Sequence, residues 1–318
     1  MASDEERFAR AQRTFGTLRV DEAVAKVRAI IGLPSVPDSE KAAQAALDKL
    51  RSGRERPTAL ELAALEMVIR MMRPAPLSKN GQLDAMPARK GSSVYQPAAV
   101  AAWDAFRAHI APRLYSIGRL DRTAGADPET GTGFLVAPNL VLTNHHVVTQ
   151  LSHGVDQLDE GMAVIRFYQE FEGPEPVPSC PVTRVVAIHQ TLDMALLEVK
   201  LPDARPVIEI ETGALPPHAM VGAIGYPYKD DRNPLFVDKI FAGIYGVKRG
   251  AFGELLSPDS SFVSHDCSTL GGNSGSPIFA LDTGKLVGLH FTGEFMYRNE
   301  AVPAADVAEF LRRTTGDG

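Results

Sequence analysis

Gly131-Thr-Gly-Phe-Leu-Val-Ala-Pro-Asn-Leu-Val-Leu-Thr-Asn-His-His146-Val-Val holds two short apolar runs, Gly133 to Val136 and Leu140 to Thr143, on either side of a Pro-Asn turn. Such runs, bounded by turn residues, read as strands, and two of them this close read as a hairpin. The same pattern continues downstream in Ala163 to Phe167, Thr183 to Ile188, Met194 to Val199, Ala219 to Ile224, Lys239 to Val247, Ser276 to Phe279 and Leu286 to Phe291. No helical period separates these segments, so the expectation is a mainly β unit built as a sandwich or as barrels. Pro303 to Arg313 returns to helical spacing and closes the chain as a helix.

Upstream the period changes. Val20, Val24, Val27, Ile30 and Ile31, then Leu60, Ala64, Met67, Val68 and Met72, recur at helical intervals. Gly32, Pro34, Pro37, Gly53 and Pro57 punctuate them, which predicts three or four helices. Asp38 and Ser39 offer capping oxygens to the segment Ala42 to Leu50, and Gly53 can end it in a left-handed cap. Pro74 to Pro97 lacks periodicity and reads as a linker or a surface strap. Ala98 to Ile110 reads as one further helix, with Trp103 and Phe106 on one side and Pro112 stopping it. The expected organisation is a helical N-terminal domain over 1–75, a linker over 76–96 and a β-rich domain over 97–318. The last divides into a helix at 97–111, the β unit at 112–302 and a helix at 303–314.

At 318 residues, 44% hydrophobic and 23% charged, the chain has the composition of an ordinary globular protein. Its net charge of −6 opposes a broad hold on phosphate backbones, so no nucleic-acid partner is expected. The start, Met1-Ala-Ser-Asp-Glu-Glu-Arg7, is not a basic segment followed by an apolar one, and nowhere do 18 apolar residues run together. The expectation is a cytoplasmic chain with no membrane partner. Two cysteines, Cys180 and Cys267, rule out a disulfide framework. One bridge between them and two reduced thiols both remain open, the second being the plainer reading.

Three motifs lie in the order His, Asp, Ser: the opening stretch ending at His146, then Leu192-Asp193-Met-Ala-Leu-Leu-Glu-Val, then Leu270-Gly-Gly-Asn-Ser274-Gly-Ser-Pro277. Taken singly, each fits a strand end or a tight turn; together they resemble the trypsin/chymotrypsin-type serine proteases over the last two thirds of the chain. That resemblance implies two antiparallel six-stranded β-barrels with the site between them. It also implies that His146 is the base, that Asp193 orients and stabilises it, and that Ser274 is the nucleophile. A serine hydroxyl is a weak nucleophile at neutral pH, and a neighbouring base removes its proton as it attacks. Gly272, Asn273 and Ser274 are the expected oxyanion hole, whose converging N–H groups stabilise the charge that develops on the carbonyl oxygen. His145 is left as a neighbour, because Thr143 aligns with a Thr-x-x-His pattern ending at His146. Adjacent histidines on a strand face opposite ways, so no metal and no cofactor is expected.

Departures from the family narrow the reading. Asn273 stands where members activated by proteolysis carry an aspartate that binds a newly cut N-terminus, so control through the helical domain or a partner protein is expected instead. Ser268 stands where trypsin-like members carry the aspartate that pairs with Arg or Lys. Thr269 and His290 resemble the pocket of glutamyl endopeptidases of the staphylococcal type, which implies an acidic residue before the cut in a protein or peptide substrate. Thr292 and Gly293 complete the expected pocket. Small helical adaptors fused to such proteases resemble modules of bacterial antiviral defence and cell-death systems, which places the helical domain as a site for a regulatory protein partner. The competing expectation is a protease-like binding or scaffold protein without turnover.

Overall fold

The computed structural model describes residues 4–15, 37–71, 73, 75–86, 97–125, 129–230, 237–256, 261–294 and 298–316. Three helices form the N-terminal unit: α1 (Asp4–Phe15), α2 (Pro37–Ser52) and α3 (Ala59–Met71). Ala11 and Phe15 of α1 pack with Ala43, Ala46, Leu47, Leu65 and Val68 into one small core. Pro37 opens α2, its fixed φ suiting a first helical turn, so Asp38 and Ser39 lie inside that turn and not ahead of it as the sequence suggested. Gly53, at φ 61°, ends α2 in the expected left-handed cap, its N–H donating to the Lys49 carbonyl at 3.1 Å. Thr58 and Glu61 exchange hydrogen bonds at the start of α3, a reciprocal capping box. The run Val20 to Ile31 lies outside the described residues.

Residues 75–86 carry a short hairpin of β1 (Ser78–Lys79) and β2 (Gln82–Leu83), turned by Asn80 and Gly81 at positive φ. Then α4 (Pro97–Ile110) buries Trp103, Phe106 and Ile110 in the largest core. Phe106 meets Phe279 at 5.8 Å between ring centres and Trp103 meets Phe252 edge-on at 6.4 Å, so α4 packs with the β unit.

Six strands close the first barrel in the order β3 (Ile117–Arg122), β4 (Glu129–Ala137), β5 (Leu140–Thr143), β8 (Ala195–Val199), β7 (Cys180–Ile188) and β6 (Ala163–Arg166). A short helix, α5 (His145–Leu151), leaves the end of β5. The second six strands curl into a half-barrel: β10 (Arg249–Glu254), β9 (Met220–Gly225), β12 (Pro277–Ala280), β13 (Leu286–Glu294), β14 (Arg298–Pro303) and β11 (Val263–His265). Its edges, β10 and β11, meet through one bridge, Leu255 with His265.

Lys239 to Val247 is not the predicted strand. It begins within α6 (Val237–Phe241) and continues through Ala242, Gly243 and Gly246 at positive φ, a backbone no strand accommodates. The strand follows it, as β10. The closing helix, α7 (Ala304–Thr315), sends Val307 and Phe310 into the same core as Leu83, Trp103 and Met194. Both cysteines are free thiols and buried. No described helix is long and apolar enough to cross a membrane.

The helical unit meets the half-barrel at its open edge. Asp266, immediately after β11, is fully buried and accepts from the Glu254 N–H at 2.6 Å, from Arg73 at 3.0 Å and from Arg10 of α1 at 3.5 Å. Arg10 also pairs with Glu66 of α3 at 2.9 Å, and Arg13 reaches Glu254 at 3.3 Å. Charges so far from water persist only when paired, and here the pairing is supplied across the seam.

Candidate active site

The three motifs converge on one cleft of about 770 Å³ between the two β halves, lined among others by His146, Asp193, Tyr228, Ser274, His290 and Asn299. His146 sits in the first turn of α5 and not on a strand as expected. The two histidines nevertheless diverge. His145 Nε2 pairs with Asp156 at 2.8 Å, whereas His146 Nδ1 meets Asp193 Oδ2 at 2.5 Å. The second Asp193 oxygen accepts the His146 backbone N–H at 2.9 Å. Burial pushes the Asp193 carboxyl upward, but the hydrogen bonds from His146 outweigh it and hold the group below the usual carboxylate range. Asn144 precedes α5 without capping it; its side chain instead donates to the Asp193 carbonyl at 2.8 Å.

Ser274 is mounted on the other half and tied to the first. The Thr132 N–H donates to the Ser274 carbonyl at 2.8 Å, the Thr132 hydroxyl to the Gly272 carbonyl at 2.8 Å, and the Thr143 hydroxyl to the Thr132 carbonyl at 2.7 Å. This crowding explains Gly275, where an added Cβ would lie 2.0 Å from the Thr132 oxygen. No hydrogen bond joins Ser274 Oγ to His146 among the described residues, and in free enzymes such contacts are often long and tighten with substrate.

The Tyr228 N–H holds the Gly271 carbonyl at 2.8 Å, which turns the Gly272 N–H at the far side of that peptide the opposite way. Among the described residues neither the Gly272 nor the Ser274 N–H has a backbone acceptor, so both are free to donate to a ligand. Asn273, expected in the same hole, does not join them. Its N–H donates to the Leu270 carbonyl at 3.1 Å and its side-chain amide to that same oxygen at 3.2 Å.

The pocket differs from its sequence forecast in one member. Ser268 does not line the cleft; its hydroxyl donates to the Arg73 carbonyl at 3.0 Å, behind the wall. Thr269, His290, Thr292 and Gly293 do line it. Asn299 of β14, missed in the sequence, lines it too, accepting from the Thr269 hydroxyl at 2.9 Å and donating to the Cys267 carbonyl at 2.7 Å. The polar Arg-Asn-Glu around it shows no apolar alternation, so no local signal marked this residue. His290 is buried beside His265, with 3.3 Å between His265 Nε2 and His290 Nδ1. The Cys267 N–H donates to His265 Nδ1, which fixes the His265 proton on Nε2 and makes His290 Nδ1 its acceptor. His290 then carries its own proton on Nε2. Burial, with the nearby His146 adding to it, holds His290 down at about 3, so it is neutral at physiological pH.

No curated protein matches the sequence. Solved structures similar to it include the serine endoprotease from Yersinia pestis, 18% identical, with a TM-score of 0.49 and 67% of each chain covered. Another is the inactive mutant form of Rv3671c from M. tuberculosis, 20% identical, with a TM-score of 0.45, covering 65% of this chain and 90% of that one. The family model described as trypsin-like peptidase domain matches residues 131–289, half of the chain, a span that holds all three motifs. The chain therefore belongs to the trypsin-like peptidases.

Proposed function

We propose that this protein is a serine endopeptidase working through His146, Asp193 and Ser274. The observation that carries the reading is the short His146–Asp193 pair facing the same cleft as Ser274 and the two free N–H groups of Gly272 and Ser274. Ser274 Oγ attacks the scissile carbonyl while His146 Nε2 takes its proton. The negative charge that forms on the carbonyl oxygen is met by the two N–H groups. His146, now an imidazolium steadied by Asp193, returns the proton to the leaving amine as the C–N bond breaks. Water then repeats the sequence on the acyl-enzyme and releases the acid.

A preference for an acidic residue before the cut is the specificity this pocket supports. Ser268 offers no counter-charge for Arg or Lys. The histidine chain directs the remaining proton of His290 to a ligand, and Tyr228 lines the same cleft. Thr269 acts differently from its forecast: its proton is committed to Asn299, so it holds the wall and leaves the donor role to His290. The helical unit is read as the regulatory part of the enzyme.

Labelling with a fluorophosphonate tests the catalytic reading, with strong labelling of the native protein and none of Ser274→Ala expected; equal labelling of both refutes it. A peptide library varied at the residue before the cut tests the pocket. Cleavage after Glu or Asp is expected, lost in His290→Ala, and cleavage mainly after Arg or Lys overturns the assignment.

A further inference from the structure

We infer that the N-terminal helical unit positions the substrate pocket from behind, through an ion clamp on Asp266, and does not plug the cleft. The inference rests on reading the cleft as the protease site. The segment that follows β11 is short and continuous. Asp266 is gripped by Arg10 and Arg73, the Ser268 hydroxyl is bound to the Arg73 carbonyl, and Thr269 faces the cleft. Only two residues, Cys267 and Ser268, thus separate a buried carboxylate held by the helices from a residue that lines the pocket. Between them the Cys267 N–H orients His265, and through it His290, while the Cys267 carbonyl anchors Asn299.

Beside this stretch the half-barrel is closed, among the described residues, by the Leu255–His265 bridge, with the Asp266 N–H donating to the Glu254 carbonyl at 3.2 Å and the Leu256 N–H to the Ser264 carbonyl at 2.9 Å, while the Asp266 carboxylate reaches back to the Glu254 N–H. Remove Arg73, and a buried carboxylate loses its nearest cation; it then draws toward water and carries the wall with it. None of the residues lining the cleft belongs to the described part of the helical unit. A partner that draws the helical unit away from the seam therefore loosens the pocket and lowers activity. Its departure does not uncover the site.

The test uses the full chain. Steady-state kinetics on the best-cleaved fluorogenic tetrapeptide separate KM from kcat, and the labelling rate with a small dialkyl fluorophosphate reports Ser274 and His146 without using the pocket. Arg73→Met is expected to raise KM about tenfold while kcat and the labelling rate stay within about twofold. Ser268→Ala keeps every buried ion paired and removes only the hydrogen bond to the Arg73 carbonyl; KM should rise by roughly threefold. Arg13→Met, which removes the outer contact to Glu254, should change neither quantity. An unchanged KM in both Arg73→Met and Ser268→Ala overturns the proposal, as does labelling that falls in step with kcat/KM. A native protein that does not label at all defeats the catalytic reading itself, which is a separate result.

Discussion

The closed barrel and the half-barrel divide the site between them. The first completes its hydrogen-bond circuit and presents His146 and Asp193 beside β5 and β8, within three residues of strand ends. The second leaves an edge open, and from it come the Ser274 loop, the two free N–H groups and the pocket. His146 and Asp193 sit on the half with no edge to fray. Ser274, the two free N–H groups and the proposed pocket sit on the half whose seam is finished by another part of the chain, through Arg10 and Arg73. Closure within one sheet makes a rigid mount, whereas closure by a neighbouring unit makes one that the neighbour can adjust.

The largest effect that would break this division lies on the closed side. Asp193→Asn should lower kcat about 10⁴-fold, because the amide favours the wrong His146 tautomer while leaving the barrel intact. A kcat within tenfold of native would show that the closed half only scaffolds the site. On the open side, Gly272→Ala places a Cβ 2.2 Å from the Tyr226 carbonyl at φ 86°, displacing one oxyanion donor. The expected loss in kcat is about 10²- to 10³-fold, read on a peptide substrate.

The smallest effect concerns the joint between the halves. Lys248, just before β10, is fully buried and donates to the carbonyls of Leu114 at 2.7 Å and Phe167 at 2.8 Å. Burial brings its amine down to about 7, against the opposing charge of Glu170. The unfolded chain holds the extra proton up to about pH 10.4, so this group's contribution to stability rises with pH above about 7 and is lost as pH falls through that value. Urea unfolding between pH 7 and 9 should show a slope of at most ~1.4 kcal/mol per pH unit that Lys248→Met flattens. Equal slopes in the two proteins would remove Lys248 from the joint.

The legible parts of the sequence were those whose chemistry is local. Thr-Asn-His-His146, Leu-Asp193 and Gly-Asn-Ser274-Gly each lie at or beside a strand end, and the structure brings His146, Asp193 and Ser274 to one cleft. Strand β10 was missed because Gly250 and Gly253 erase its alternation. Their cause is distant: a Cβ at Gly250 would lie 2.6 Å from the Trp103 ring, and one at Gly253 the same distance from Asp266 Oδ1. Helix α1 was missed because it has few apolar residues; Ala11, Phe15 and the ion pairs of Arg10 hold it in place. Ser268 was placed in the pocket because it stands where trypsin-like members carry the aspartate that pairs with Arg or Lys. Its actual partner, the Arg73 carbonyl, is 195 positions away.

The central core has a consequence for how the protein is born. It joins Leu83 and Trp103, near one end of the β unit, to Val307 and Phe310 in the closing helix, and Phe310 stacks edge-on against His189 of the closed barrel at 5.5 Å. At ~5–20 residues per second of synthesis, the stretch from Trp103 to Phe310 takes about 10 to 40 s to make, and the core stays incomplete for that time. The core is complete only once α7 has left the ribosome, so a chain cut before Ala304 leaves Leu83, Trp103 and Met194 without Val307 and Phe310 against them.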